Sequence, residues 1–94
     1  MTNPKIDSDG NKFWYNQKGQ YHRLDGSAVE YENGDKAWWQ NGKPHRIDGP
    51  ALESVNGICS YWINDQKLTE AEWNAHPLRI EYVIQKNLKI VLND

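Results

Sequence analysis

The chain has 94 residues, 37% hydrophobic and 26% charged, and 11 basic against 13 acidic side chains leave a net charge of −2. That is one small domain with no room for a second, and its margin of stability is expected to be thin. No apolar run is long enough to span a membrane, and the scattered acids fit neither a polyanion-binding surface nor a densely acidic mimic of nucleic acid.

Residues 1–11 are expected to be a flexible N-terminal segment; with only Met1 and Ile6 as sizeable apolar side chains, they give no secretory h-region. From there the chain repeats itself. Shifted by 23 residues, Gly19 falls on Gly42, His22 on His45, Arg23 on Arg46, Asp25 on Asp48, Gly26 on Gly49, Ala28 on Ala51 and Glu30 on Glu53. Asn33-Gly34 falls on Asn56-Gly57, Trp38-Trp39 on Tyr61-Trp62 and Asn41 on Asn64. Trp14-Tyr15 precedes Trp38-Trp39 by 24, which puts one extra residue in the Gln17-Lys18-Gly19 turn. Self-similarity at this period points to a stacked supersecondary unit.

Each unit reads as a hairpin. Lys36 to Gln40 is an aromatic strand, and Asn41-Gly42 supplies the two positive-φ positions of a type I′ turn. Lys43 to Arg46 returns, with Pro44 suggesting an edge. Ile47-Asp48-Gly49-Pro50 is a reverse turn. Ala51 to Val55 and Ile58 to Ile63 are strands joined by Asn56-Gly57. Alternation puts Trp39 and Trp62 on one face and Trp38 and Tyr61 on the other. An aromatic second face is one that either receives a packed layer or binds something.

Residues 69–94 are expected to form a C-terminal helical cap. Thr69-Glu70-Ala71-Glu72 matches a capping box, Trp73 anchors the short helix that follows, and Pro77 ends it or starts another. From Leu78 to Leu92 a helix competes with a hairpin turning at Gln85-Lys86-Asn87. The helix is favoured because Ile80, Val83, Ile84, Leu88, Ile90 and Val91 fall in one arc. Laid on the end of the sheet, that stripe buries the open surface of the array; its second use is to meet its own copy in a homodimer. The predicted class is mostly β with C-terminal α: an antiparallel β-meander of about 23-residue hairpin repeats capped by one or two helices.

The motif His-Arg-x-Asp-Gly looks chemical and is better read as structure. It lacks the contiguity of a kinase catalytic loop. A metal held by His22 and His45 is disfavoured by the arginine that follows each. In the structural reading Asp25 and Asp48 fix turns, and Arg23 and Arg46 pair with them or with Glu30 and Glu53. The imidazoles of His22 and His45 then pack on tryptophan faces. In the binding reading, His22, Arg23, His45 and Arg46 form an exposed stripe beside Trp38, Trp39, Tyr61 and Trp62. Whichever of Trp38 and Trp39 faces outward is the natural hot spot, since Trp and Arg dominate interface energetics. Glu30 with Glu53, or Glu70 with Glu72, makes no acid–base pair, because a group repeated in every unit serves architecture. Cys59, the single cysteine, excludes an internal disulfide, points to the cytoplasm and is expected to be an inert core thiol. No cofactor or metal is implied.

Trp38 through Ala51 and Tyr15 through Ala28 resemble a repeat, W-x-x-N-G-K-x-H-R-x-D-G-P-A, common in uncharacterised phage and bacterial proteins. Tyr61 through Glu70 resembles the usual ending of such arrays. In length and layout the units are similar to MORN repeats, although the His-Arg-x-Asp-Gly core departs from their Gly-x-Gly spacing, so MORN lipid or tubulin association is not carried over. The resemblance implies a β-hairpin array without catalytic residues and, by association, a small phage-encoded inhibitor acting in the host cytoplasm. The expected function is therefore non-enzymatic binding of a host or phage protein, with no membrane partner. The alternative is a module that stacks nucleic-acid bases or sugars on Trp and Tyr; net acidity weighs against nucleic acid.

Overall fold

The computed structural model describes residues 3–92. Among these residues nine short strands are followed by two helices. The strands are β1 (Lys5–Ile6), β2 (Lys12–Phe13), β3 (Val29–Glu30), β4 (Lys36–Ala37), β5 (Trp39–Gln40), β6 (Lys43–Pro44), β7 (Leu52–Glu53), β8 (Cys59–Ile63) and β9 (Gln66–Leu68). The helices are α1 (Glu70–Ala75) and α2 (Pro77–Leu92). Seven strands form an antiparallel sheet in the order β1-β2-β3-β4-β7-β8-β9, and β5 and β6 pair as a separate hairpin. Lys5 pairs with Phe13 and Ile6 with Lys12, so part of the segment expected to be flexible forms the first strand of the sheet.

The strands are short because the chain keeps leaving the sheet. Between β4 and β7 it departs at Trp38, turns through Asn41 (φ 50°) and Gly42 (φ 77°), and comes back by Ala51. Both central residues have the positive φ that a two-residue type I′ turn needs. The next hairpin turns at Asn64 (φ 49°) and Asp65 (φ 72°), where Asp takes over from Gly; Asn and Asp tolerate this conformation because their side chains bond locally. The registers match: Trp39 faces Pro44 and Gln40 faces Lys43, while Trp62 faces Lys67 and Ile63 faces Gln66. Ahead of them Tyr15 bridges Tyr21.

The hairpins zip together edge to edge. Gly42 N–H donates to the Tyr21 carbonyl and Asp65 N–H to that of Pro44, both at 3.0 Å. Arg23 N–H donates to Trp39 O and Arg46 N–H to Trp62 O. Pro44, read as an edge residue, lies on the two-stranded hairpin and is buried, its carbonyl taken by Asp65 N–H of the following hairpin. Where the hairpins meet the sheet the core is thin: Trp14, Ala28, Val29, Ala37, Ala51, Ile63 and Trp73 are its buried apolar residues. Ala28 and Ala51 are wholly inaccessible; a methyl group lets two backbone ladders approach where a larger side chain would overpack.

The C-terminal segment is helical, not a hairpin. Thr69 accepts from Glu72 N–H and Glu72 reaches back to Thr69 N–H, completing the capping box of α1. His76 caps its end, and Pro77 opens α2 at a position where a missing N–H costs nothing. The cap differs from expectation in which side chains make it. Trp73 of α1 is buried, with its Nε1–H on the Arg46 carbonyl; on α2 the half-buried side chains include Arg79, Tyr82 and, of the expected stripe, Val83. Ile80 and Ile84, expected to be laid on the array, are 45% and 52% exposed, and Leu88 is 50% exposed. The reason is geometric: α1 takes up the end of the sheet, and α2 is tied down only through its first turns. The side chains of residues 90–92, and residues 93 and 94 altogether, lie outside the described part of the cap.

Candidate functional site

The two His-Arg-x-Asp-Gly segments fold into matching loops over the sheet. Arg46 lies over the Trp38 ring at 3.6 Å. Its Nε donates to Asp48 at 2.8 Å, and its Nη1 donates to the Pro50 carbonyl at 3.0 Å and to Glu53 at 2.8 Å. Twenty-three residues earlier, Arg23 lies over Trp14 at 4.0 Å and donates to Asp25, to the Ser27 carbonyl and to Glu30, at 3.0, 3.1 and 3.3 Å. The earlier set is looser for a local reason: Ser27 Oγ also donates to Glu30 Oε2, at 2.6 Å, sharing the acceptor. The planar guanidinium suits this place because it stacks on a ring while its edge donors reach three acceptors.

Glycine is needed beside each arginine. A Cβ at Gly49 would lie 2.7 Å from Arg46 Cζ, and one at Gly26 would lie 2.9 Å from Arg23 Cζ. The histidines are occupied too. His22 Nδ1 accepts from Asn41 N–H at 3.0 Å, and His45 Nδ1 accepts from Asn64 N–H at 3.1 Å. Each imidazole thus holds the turn of the next hairpin through an Nδ1 that accepts a backbone N–H, which for His45 needs the unprotonated nitrogen. Burial, reinforced by nearby His76, lowers the pKa of His45 from its ordinary value, which favours that form.

Between the loops lies a cleft of about 600 Å³, lined by Leu24, Trp38, His45, Ile47 and the arginine–aspartate pairs, with Tyr82 at its α2 side. The charges that line it balance, with Arg23 and Arg46 paired to Asp25 and Asp48. No group of three or more His, Cys, Asp or Glu among the described residues is placed to hold a metal ion. No helix among them is long and apolar enough to cross a membrane.

The aromatic residues single out a row that sequence reasoning missed. Phe13, Tyr15, Tyr21 and Trp39 follow one another with ring centroids 5.4 to 6.5 Å apart. The signal was present, because Tyr15 and Tyr21 stand where Trp39 and Pro44 stand in the next unit. The Phe13 and Tyr21 planes are within 19° of parallel, so these rings cover one another's faces. Of the named candidates, Trp38 lies beneath Arg46, Trp39 meets Tyr21 edge to face, Tyr61 packs on Trp73 at 4.7 Å, and Trp62 donates to Ser60 Oγ. His22, Arg23, His45 and Arg46 come together as loop struts and form no free stripe.

What does stand in water is aliphatic. Val55 is 65% exposed and Ile58 68%, with Tyr31 beside the same row of turns. Val55 leans over the preceding turn, where Gly34 leaves room and Asp35 accepts its N–H. Ile58 borders a shallow cleft of about 440 Å³ that Leu52, Cys59, Tyr61 and Leu68 also line. Cys59, expected in the core, is exposed there, at the start of β8 where it pairs with Glu53. Comparisons of the chain with family models, curated proteins and solved structures find no match.

Proposed function

We propose that the chain is a non-enzymatic protein-binding module, a short array of about 23-residue β-hairpin repeats of MORN-like layout closed by a helical cap. The observation that carries this reading is the division of labour between polar and apolar groups. The histidines, arginines and carboxylates that invite a chemical reading are bonded to one another or to backbone in two matching sets. Meanwhile Val55 and Ile58 stand exposed about one turn, with Ile58 beside a cleft. A rigid scaffold with an apolar edge suits docking on a protein. Stacking of bases or sugars is less well supported, since the rings of Trp14, Trp38 and Tyr61 are each covered by Arg23, Arg46 and Trp73. The narrower reading, a phage-encoded inhibitor of a host or defence protein, rests on the motif resemblance alone.

The test is retention from a lysate on immobilised protein. One partner held independently of salt, and lost when Val55 and Ile58 are both changed to Asp, is the expected result. Retention of single-stranded nucleic acid with a steep salt dependence would overturn it.

A further inference from the structure

Asn33, Asn41 and Asn56 each stand directly before a glycine. In that dipeptide no side chain hinders the glycine backbone nitrogen from reaching the asparagine Cγ and closing a small imide ring. The fold treats the three pairs differently. Asn41-Gly42 is locked into the hairpin row: Asn41 N–H donates to His22 Nδ1, Gly42 N–H to the Tyr21 carbonyl, and Asn16 Nδ2–H to Asn41 Oδ1. Asn33-Gly34 is held by its neighbours. Asn33 Nδ2–H donates to Asp35 Oδ2 at 3.2 Å, and a Cβ at Gly34 would meet Val55 Cγ1 at 2.7 Å. The Asp35 carboxylate also sets negative charge beside a nitrogen that must lose its proton to react, which disfavours the step.

Asn56-Gly57 has none of these restraints, because no further turn follows it along the sheet. Both residues are exposed, and no atom lies within 4 Å of a Cβ placed at Gly57. Gly57 N–H keeps only the bond to the Ser54 carbonyl that closes its own turn. Among the described residues the Asn56 side chain has one hydrogen bond, Ile58 N–H donating to Oδ1 at 3.2 Å. That donor sits where negative charge develops when Cγ is attacked, and it leaves the departing nitrogen in water. We propose that Asn56 is a site of self-modification, the first of the three asparagines to lose its amide. The Gly57 nitrogen gives its proton to hydroxide and bonds to Asn56 Cγ. The Cγ–Nδ2 bond breaks, ammonia leaves, and a cyclic imide spans the two residues. Water then adds to either imide carbonyl, and ring opening leaves aspartate or isoaspartate. Each product puts a carboxylate between Val55 and Ile58, so on the docking reading above the contact turn loses apolar character with age. The chemistry itself does not depend on that reading.

The test follows the folded full chain over time in mildly alkaline buffer, with tryptic digestion and mass spectrometry. Segments 24–36, 37–46 and 47–67 carry Asn33, Asn41 and Asn56 separately. Conversion to acid is expected first at Asn56, placed by fragmentation, and at Asn33 about fivefold slower or more, the effect of one further hydrogen bond that must break. Asn41 should be slowest. Asn56→Gln should stop conversion in 47–67, since a longer side chain must close a larger ring, and leave the other two rates unchanged. In urea strong enough to unfold the chain the three rates should converge. Equal rates in the folded chain, faster loss at Asn33 or Asn41, conversion placed at Asn64, or an order that urea leaves unchanged would each overturn the proposal. The measurement needs no binding partner, so it fails or succeeds separately from the proposed function.

Discussion

Trp38, just past the end of β4, and Tyr61 of β8 stand 23 residues apart at matching places, and they are closed in different ways. Over Trp38 lies Arg46, fixed by Asp48, Glu53 and the Pro50 carbonyl. Over Tyr61 there is no such loop; Trp73 arrives from α1, packs at 4.7 Å and donates its Nε1–H to the Arg46 carbonyl. The same aromatic step is covered once by a hydrogen-bonded cation and once by an apolar helix. A second exchange occurs at the turns. Asn11 and Asp35 accept an N–H from the following turn, at Glu32 and Val55, while the matching position one unit later is Ile58, which is exposed. Where no further turn follows, the acceptor has gone. The two regions also differ in how fully they are satisfied. Each loop arginine has two carboxylates, whereas Arg79 of α2 has its Nε buried without a hydrogen-bond partner.

The sharpest way to break this comparison is at the helix. Trp73→Ala removes a buried indole, its stack on Tyr61, its hydrogen bond and the platform beneath Arg79. A loss of about 3–5 kcal/mol is expected in denaturant unfolding, enough to threaten a domain of this size. At the loop, Arg46→Ala strands Glu53 and uncovers Trp38, for about 2–3 kcal/mol, with Arg46→Lys recovering less than half because an ammonium lacks the planar fork. Arg23→Ala should cost less, since its contacts are longer and Arg23 itself is more exposed than Arg46. Thr69→Ala cuts one side of the capping box and should cost about 1 kcal/mol.

The gentlest probe is pH. The His45 pKa is lowered in the folded chain by burial and by His76. Its contribution to stability is therefore present above the unfolded value and is lost as pH falls through the lower, folded one. Protonation also turns Nδ1 from the acceptor of the Asn64 N–H into a donor facing it. The melting temperature should drop on acidification from pH 7 to below the ordinary histidine value of about 6.5. His45→Gln should flatten that slope; an unchanged slope would refute the assignment.

Much of this was legible in the sequence because turns are local. Asn41-Gly42 and the Thr69–Glu72 box announce their geometry within four residues, and the pairing of Arg46 with Asp48 spans two. The histidine partners were not legible, since Asn41 lies 19 residues from His22 and nothing local distinguishes an imidazole on a ring from one on a peptide N–H. The exposure of Cys59 and of the α2 stripe was hidden for a related reason: alternation and helical period say which residues share a side, and not whether anything covers that side.

The sequence by itself determined the turns, the helix starts and the spacing of like residues, because those follow from backbone preferences and contacts a few residues long. Only the tertiary structure decided which rings are covered, that Arg23 and Arg46 are struts rather than a free surface, and that α2 keeps its aliphatic arc in water. Burial is a property of what packs from elsewhere in the chain, and here the end of the sheet had already been filled by Trp73.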